Sequence, residues 1–157
     1  MLLAVAAIVP AAIVGPAAGL WAGLRPGGAA DRIGLVLAAV LRALPSFAVG
    51  VGLMLLLAAQ LDWLPASDDG TAAGIVLPAL TLALALAASS ARVARDAVLA
   101  ATRAPHFAFA RLKGLTEAQA VRRHVLRNAA VPVAAYLGLQ FALLVEGVVV
   151  VESLFGW

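Results

Sequence analysis

Residues 73–91 read AGIVLPALTLALALAASSA, a run without one charged side chain. Residues 92–128 follow at once as RVARDAVLAATRAPHFAFARLKGLTEAQAVRRHVLRN, carrying Arg92, Arg95, Arg103, Arg111, Lys113, Arg122, Arg123 and Arg127. The first stretch is close to the ~20 apolar residues a helix needs to cross a bilayer. Backbone groups in lipid have to bond within their own segment, so the run predicts a helix and not a strand. The abrupt switch to arginine marks where the chain leaves the membrane on its cytoplasmic side.

Three further apolar runs flank this one: Leu2 to Leu24, about Leu44 to Leu61 with a less apolar lead-in from Ile33, and Ala129 to Val151. The basic residues outside 92–128 are Arg25, Arg32 and Arg42, while the connection Asp62 to Thr71 holds Asp62, Asp68 and Asp69 and no base. Two basic segments inside and one acidic segment outside give four crossings of alternating direction, all in agreement with the positive-inside rule. The expected fold class is all-α: a polytopic transmembrane helix bundle of about four spans, forming a single domain over 1–157. Ser153 to Trp157 fall on the outer side.

Composition agrees. Of 157 residues, 64% are hydrophobic and 12% charged, against about a quarter charged in soluble domains. Mean hydropathy is +1.06. There is no cysteine, which excludes disulfides and thiolate metal sites in this stretch. The net charge of +3 is accounted for by topology, so no nucleic-acid partner is expected. No Lys or Arg precedes Arg25 and the first run exceeds a signal peptide's apolar region, so it reads as a span.

Gly15, Gly19 and Gly23 share one face of the first span. Small residues at that spacing allow close helix approach; incidental use of Gly in a membrane helix explains the pattern equally well. Pro45, Pro78 and Pro132 fall in the first turns of spans and read as shape.

Segment 92–128 is too regular for a plain connector. Arg92 to Arg103 extends the third span, with Arg92 and Asp96 spaced to pair across one turn. Pro105 ends it, and His106 to Lys113 forms a short mixed apolar and basic helix. Gly114 after Lys113 fits a left-handed helix cap. Thr116 with Gln119 fits a capping box, opening a helix that carries Val121 and Val125 on one stripe and Arg123 and Arg127 on another. That helix is expected to lie at the membrane surface before the chain turns into the last span. Apolar side chains rimmed by basic ones suit partner docking or a plain interfacial connector equally.

The run Ala110-Arg111-Leu112-Lys113-Gly114-Leu115-Thr116-Glu117, then Arg123-His124-Val125-Leu126-Arg127-Asn128 and Pro132, resembles the cytoplasmic loop signature of binding-protein-dependent transport permeases. The spacing from Gly114 to Pro132 is that of the dipeptide/oligopeptide/nickel branch. Leu64-Pro65-Ala66-Ser67, Leu77-Pro78-Ala79-Leu80-Thr81-Leu82, Gly138-Leu139-Gln140 and the closing Val148 to Trp157 are similar as well, so the likeness runs through nearly the whole chain. Departures are Ala108-Phe109-Ala110 in place of the wider family's Glu-Ala-Ala, Pro105 and His106 in place of an acidic-aromatic pair, Leu112 for Ala, and Glu146 for a small residue. The chain also stops where Pro-Gly-Leu-Gly normally follows, and it is expected to be truncated at both ends.

The resemblance implies a permease subunit of an ATP-binding-cassette importer in a bacterial inner membrane, moving peptides, nickel or a related small solute. It implies ATPase subunits, a second permease and an extracytoplasmic solute-binding protein as partners, in addition to the lipid bilayer. Residues 92–128 become the coupling segment, with Phe107, Phe109, Ala110, Arg111, Leu112, Lys113 and Gly114 docking the ATPase. No G-x-x-x-x-G-K-[ST] phosphate loop occurs, so ATP hydrolysis is expected on a separate subunit, and no cofactor is expected. Glu146 and Glu152 are candidate translocation-path residues, an acid in a span usually facing the bundle interior or water. A snorkelling or helix-bonded acid near the interface is the alternative for Glu146, and a gating or structural role for Glu152. His124 and His106 fall short of the three or four ligands of a zinc site, and no nucleophile–base–acid set is present, so no catalytic or metal residue is assigned. A secondary transporter or a non-transporting membrane scaffold are the competing readings.

Overall fold

The computed structural model describes residues 2–66 and 73–155, with the side chains of 2 and 145–150 outside that description. Among the described residues there are helices and no strands. The order is α1 (Leu2–Leu24), α2 (Ala29–Ala43), α3 (Ser46–Leu53) running into a π-helical segment Met54–Gln60, α4 (Val76–Arg103), α5 (Pro105–Leu112), α6 (Glu117–Ala120), a second π-helical segment Val121–Val125, and α7 (Leu126–Phe155).

α1 and α4 are each long and apolar enough to cross a membrane, and α2 with α3 and its π extension adds a third, bent candidate. α7 has 30 residues, about 45 Å at 1.5 Å per residue, which exceeds the ~30 Å hydrocarbon core. The exposed faces are apolar, with Val9, Ile13, Val36, Leu55 and Val131 all at least half exposed. Such surface suits lipid, where backbone groups are satisfied inside the helices.

α4 is the axis of the bundle. One cluster packs Leu3, Ala7 and Ala11 of α1 and Leu144, Val151 and Phe155 of α7 around Leu77, Leu82 and Leu86 of α4. A second gathers Val98 and Ala101 of α4 with Val125 and Ala129 below them. The glycine stripe is resolved in favour of packing. Gly15, Gly19 and Gly23 are buried. A Cβ on Gly15 would stand 2.6 Å from the Ala87 carbonyl oxygen, and one on Gly23 would stand 2.8 Å from Val98 Cβ. Ser90 donates to its own turn at the Ala87 carbonyl (3.1 Å) and reaches the Ala11 carbonyl across the seam (3.4 Å).

Four expectations are corrected. The lead-in from Ile33 is a helix of its own: α2 is bent by 107° from α3 and its extension, and only together are the two long and apolar enough to cross a membrane. Pro45 causes this, because the residue before proline avoids the helical region and Leu44 is extended at φ −87°, ψ 133°. Pro45 caps α3, and Pro132 lies well inside a helix. No separate surface helix precedes the last span. From Glu117 through Val125 to Phe155 the backbone stays helical, with Val121 at φ −59°, ψ −53° and Leu126 at φ −61°, ψ −42°. Asp96 pairs with Arg95 at 3.2 Å instead of Arg92.

Arg95 also makes the one long-range ion pair among the described residues, with Asp31 of α2. Arg95 Nε and Nη2 donate to the two Asp31 oxygens, the latter at 2.9 Å, and the Gly27 N–H donates to Asp31 at 2.8 Å. The acidic stretch Asp68 and Asp69 lies outside the described residues.

Candidate functional site

The end of the bundle that carries the bases is built by α5 and the corner after it. Ala104 takes an extended conformation ahead of Pro105, and Pro105 opens α5 at its first turn, where its missing N–H costs nothing. α5 closes as a Schellman cap: Leu115 N–H donates to the Ala110 carbonyl (3.3 Å) and Gly114 N–H to the Arg111 carbonyl (3.0 Å). This geometry needs a left-handed residue after the cap, and Gly114 supplies φ +85°. Thr116 and Gln119 then exchange both capping-box bonds, Gln119 N–H to Thr116 Oγ1 at 3.4 Å and Thr116 N–H to Gln119 Oε1 at 3.1 Å.

The seven residues expected to dock a partner fall on two faces. Phe107 is half-buried against the Val98–Ala101–Val125–Ala129 cluster, and Ala110 is buried. Phe107 seats α5 on α4 and on the helical stretch 121–129. Phe109 and Leu112 point away, at 62% and 83% exposure. Arg111, Lys113 and Gly114 are exposed too, and Lys113 Nζ lies 5.5 Å from the centre of the Phe109 ring. Two bulky apolar groups in water with cations beside them are what a complementary protein cleft would cover.

Sequence reasoning missed what fixes α5 to the chain after it. Asn128 Nδ2 donates to the His124 carbonyl at 2.8 Å and lies 3.1 Å from His106 Nε2. The imidazoles of His106 and His124 stand 6.2 Å apart between centroids. They edge a cavity of about 500 Å³ with Phe109, Lys113, Leu115 and Arg123. His106, 22 residues from Asn128, carries no signal in the local pattern that announces this bond. Among the described residues no group of three His, Asp or Glu is placed to hold a metal ion.

Glu152 is half-buried near the far end of α7, some 26 residues past its start and therefore about 40 Å away along the axis. The Glu146 side chain lies outside the described residues. The path candidates and the docking candidates therefore belong to opposite ends of the bundle.

Residues 15–157 match the family described as binding-protein-dependent transport system inner membrane component. The chain is 39% identical over 155 residues to a glutathione transport system permease protein of Pectobacterium atrosepticum, covering 99% of this chain and 51% of that protein. It is 38% identical over 144 residues to the protein of the same name from Salmonella typhi, covering 92% and 46%. Against that from Escherichia coli K12 it is 36% identical over 155 residues, covering 99% and 51%. The chain spans about half the length of the curated relatives it matches.

Proposed function

This chain belongs to the family of binding-protein-dependent transport inner-membrane components, and from that premise we propose that it forms the membrane path of an ATP-driven importer. The relatives are glutathione permeases by name, so a small peptide-like solute of the glutathione class is the proposed cargo. Nickel, which the same branch of the family suggests, is the second choice. ATP hydrolysis is assigned to separate subunits, and a second permease and an extracytoplasmic binding protein complete the assembly.

The observation that carries this reading is α5. It presents Phe109 and Leu112 beside Arg111 and Lys113, on a corner closed by Gly114 and seated on α4 through Phe107. A helix held this way moves as a rigid knob. Closure of the ATPase subunits on ATP would push α5, and α4 would carry the displacement into the spans, so that the bundle rocks between inward- and outward-open states. In this scheme Glu152 and Glu146 act at the outer end, lining or gating the path.

A cysteine at Leu112 tests the docking. This stretch has no native cysteine, so in the full-length gene product Leu112→Cys, co-expressed with the neighbouring ATPase, is expected to cross-link to it through a short bifunctional reagent. Val36→Cys, exposed on α2, should not. Equal cross-linking at both positions, or none at Leu112, counts for the scaffold or secondary-transporter reading.

A further inference from the structure

α2 is poorly held by packing. Only Asp31 and Ala38 of its 15 residues are buried, and a largely apolar cavity of about 370 Å³ separates it from α1 and α4. Ile33, Val36, Leu37 and Val40 are all half exposed or more. What joins α2 to the bundle axis at its start is Asp31. Its carboxylate is 2% exposed and takes three hydrogen bonds, two from Arg95 and one from the Gly27 N–H. Gly27 stands at φ +81° in the turn between α1 and α2. A two-point guanidinium–carboxylate bond fixes orientation as well as distance.

The position of Arg95 gives that bond a direction. α4 ends at Arg103 and α5 begins at Pro105, so Arg95 lies ten residues, about 15 Å along a helix, from the docking helix. At its other end α2 leads through the 107° bend into α3. There Gly50 abuts Thr81 of α4 and Leu154 and Phe155 of α7. α3 therefore meets α4 directly at Gly50 and Thr81, while α2 joins α4 at its start through Asp31 and Arg95.

We propose that Asp31 and Arg95 are positioning residues that make α2 move with α4, so that displacement of α5 reaches α2. This rests on α5 being the docking helix. α1 follows α4 without the pair because the glycine seam holds it; α2 has no such seam, and beyond the packing around Ala38 the ion pair is what ties it to α4. Breaking the pair leaves α5 and its surface intact and lets α2 lag.

The test uses the full-length gene product assembled with its partner permease and ATPase in lipid nanodiscs. Nitroxides at Val36→Cys on α2 and Ala100→Cys on α4 report their separation, nucleotide-free and ATP-trapped. The unmodified pair is expected to give one narrow distance, unchanged between the two states. Asp31→Asn is expected to broaden it and to shift it on ATP trapping. Arg95→Lys keeps the charge but loses the two-point geometry, and should broaden it less. Asp31→Asn and Arg95→Lys indistinguishable from the parent in both states would overturn the proposal, as would a parent distance that itself changes on trapping. Leu112→Cys cross-linking separates the two readings. Its loss in the parent removes the docking reading and this inference with it. Its presence throughout, with unaltered distances, removes this inference alone.

Discussion

Gly19→Leu tests the packing that sets the bundle axis. A Cβ built on Gly19 overlaps the Ala91 carbonyl oxygen and lies 2.8 Å from both the Ala91 carbonyl carbon and Ala94 Cβ. Two of these three are backbone atoms of α4 and the third is fixed to its backbone, so no rotamer relieves the clash. Carbon atoms pack at about 3.5–4.0 Å, so α1 and α4 have to part by roughly 1 Å. Gly15 and Gly23 sit one turn away on either side, and the seam opens along their length. Overpacking of this kind costs about 1–3 kcal/mol, and a leucine with further carbons beyond Cβ belongs at or above the top of that range. Losing the glycine returns only about 0.5–1 kcal/mol of helix propensity. Gly138→Leu in α7 is the control, since a Cβ there meets nothing within 4 Å. Unfolding in mild detergent, followed by tryptophan fluorescence, should show Gly19→Leu destabilised by about 2 kcal/mol or more against Gly138→Leu. Equal stabilities would refute the close approach of α1 and α4.

Phe107→Ala should destabilise the seat of α5 by about 2 kcal/mol, below the 3–5 of a fully buried phenylalanine, while Leu112→Ala should leave unfolding unchanged and weaken capture of the ATPase. Thr116→Ala removes the capping box and should cost about 1 kcal/mol, visible as faster amide exchange confined to the turn after Gly114. His106→Ala removes the acceptor that Asn128 reaches and should cost about 1 kcal/mol, read by the same exchange over residues 105–112.

Local chemistry was the most legible part of the sequence. The Pro105 start, the Gly114 corner and the Thr116–Gln119 box were readable because each depends on a few adjacent residues with one good conformation. Tertiary facts were less open to reading. The glycine spacing was compatible with packing or with chance until Ala87, Ala91 and Val98 were seen opposite it. Pro45 looked like a shape residue early in a span, yet its effect falls on Leu44, where it bends the lead-in away from α3. The surface helix expected after Gly114 merges into α7 because residues 117–155 contain no breaker strong enough to stop a helix; Pro132 is absorbed. Asp31 and Arg95 are 64 residues apart, and nothing in either neighbourhood announces the other. Among the candidate docking residues the pattern marked a helix but not its faces, since the burial of Phe107 depends on Val98 and Val125.

The central claim is that α5 with its Gly114 corner is where an ATPase docks. Affinity capture of the full-length gene product co-expressed with its neighbouring ATPase, in mild detergent, tests it directly by comparing the parent with Gly114→Asp. Gly114 has open space around it but φ +85°, so the substitution acts through the backbone, at about 1 kcal/mol or less because aspartate tolerates the left-handed region better than most side chains, and through the added acid beside Lys113. The account predicts that the parent recovers the ATPase and that a stably inserted Gly114→Asp does not. Equal recovery by both proteins, or by neither, would contradict it.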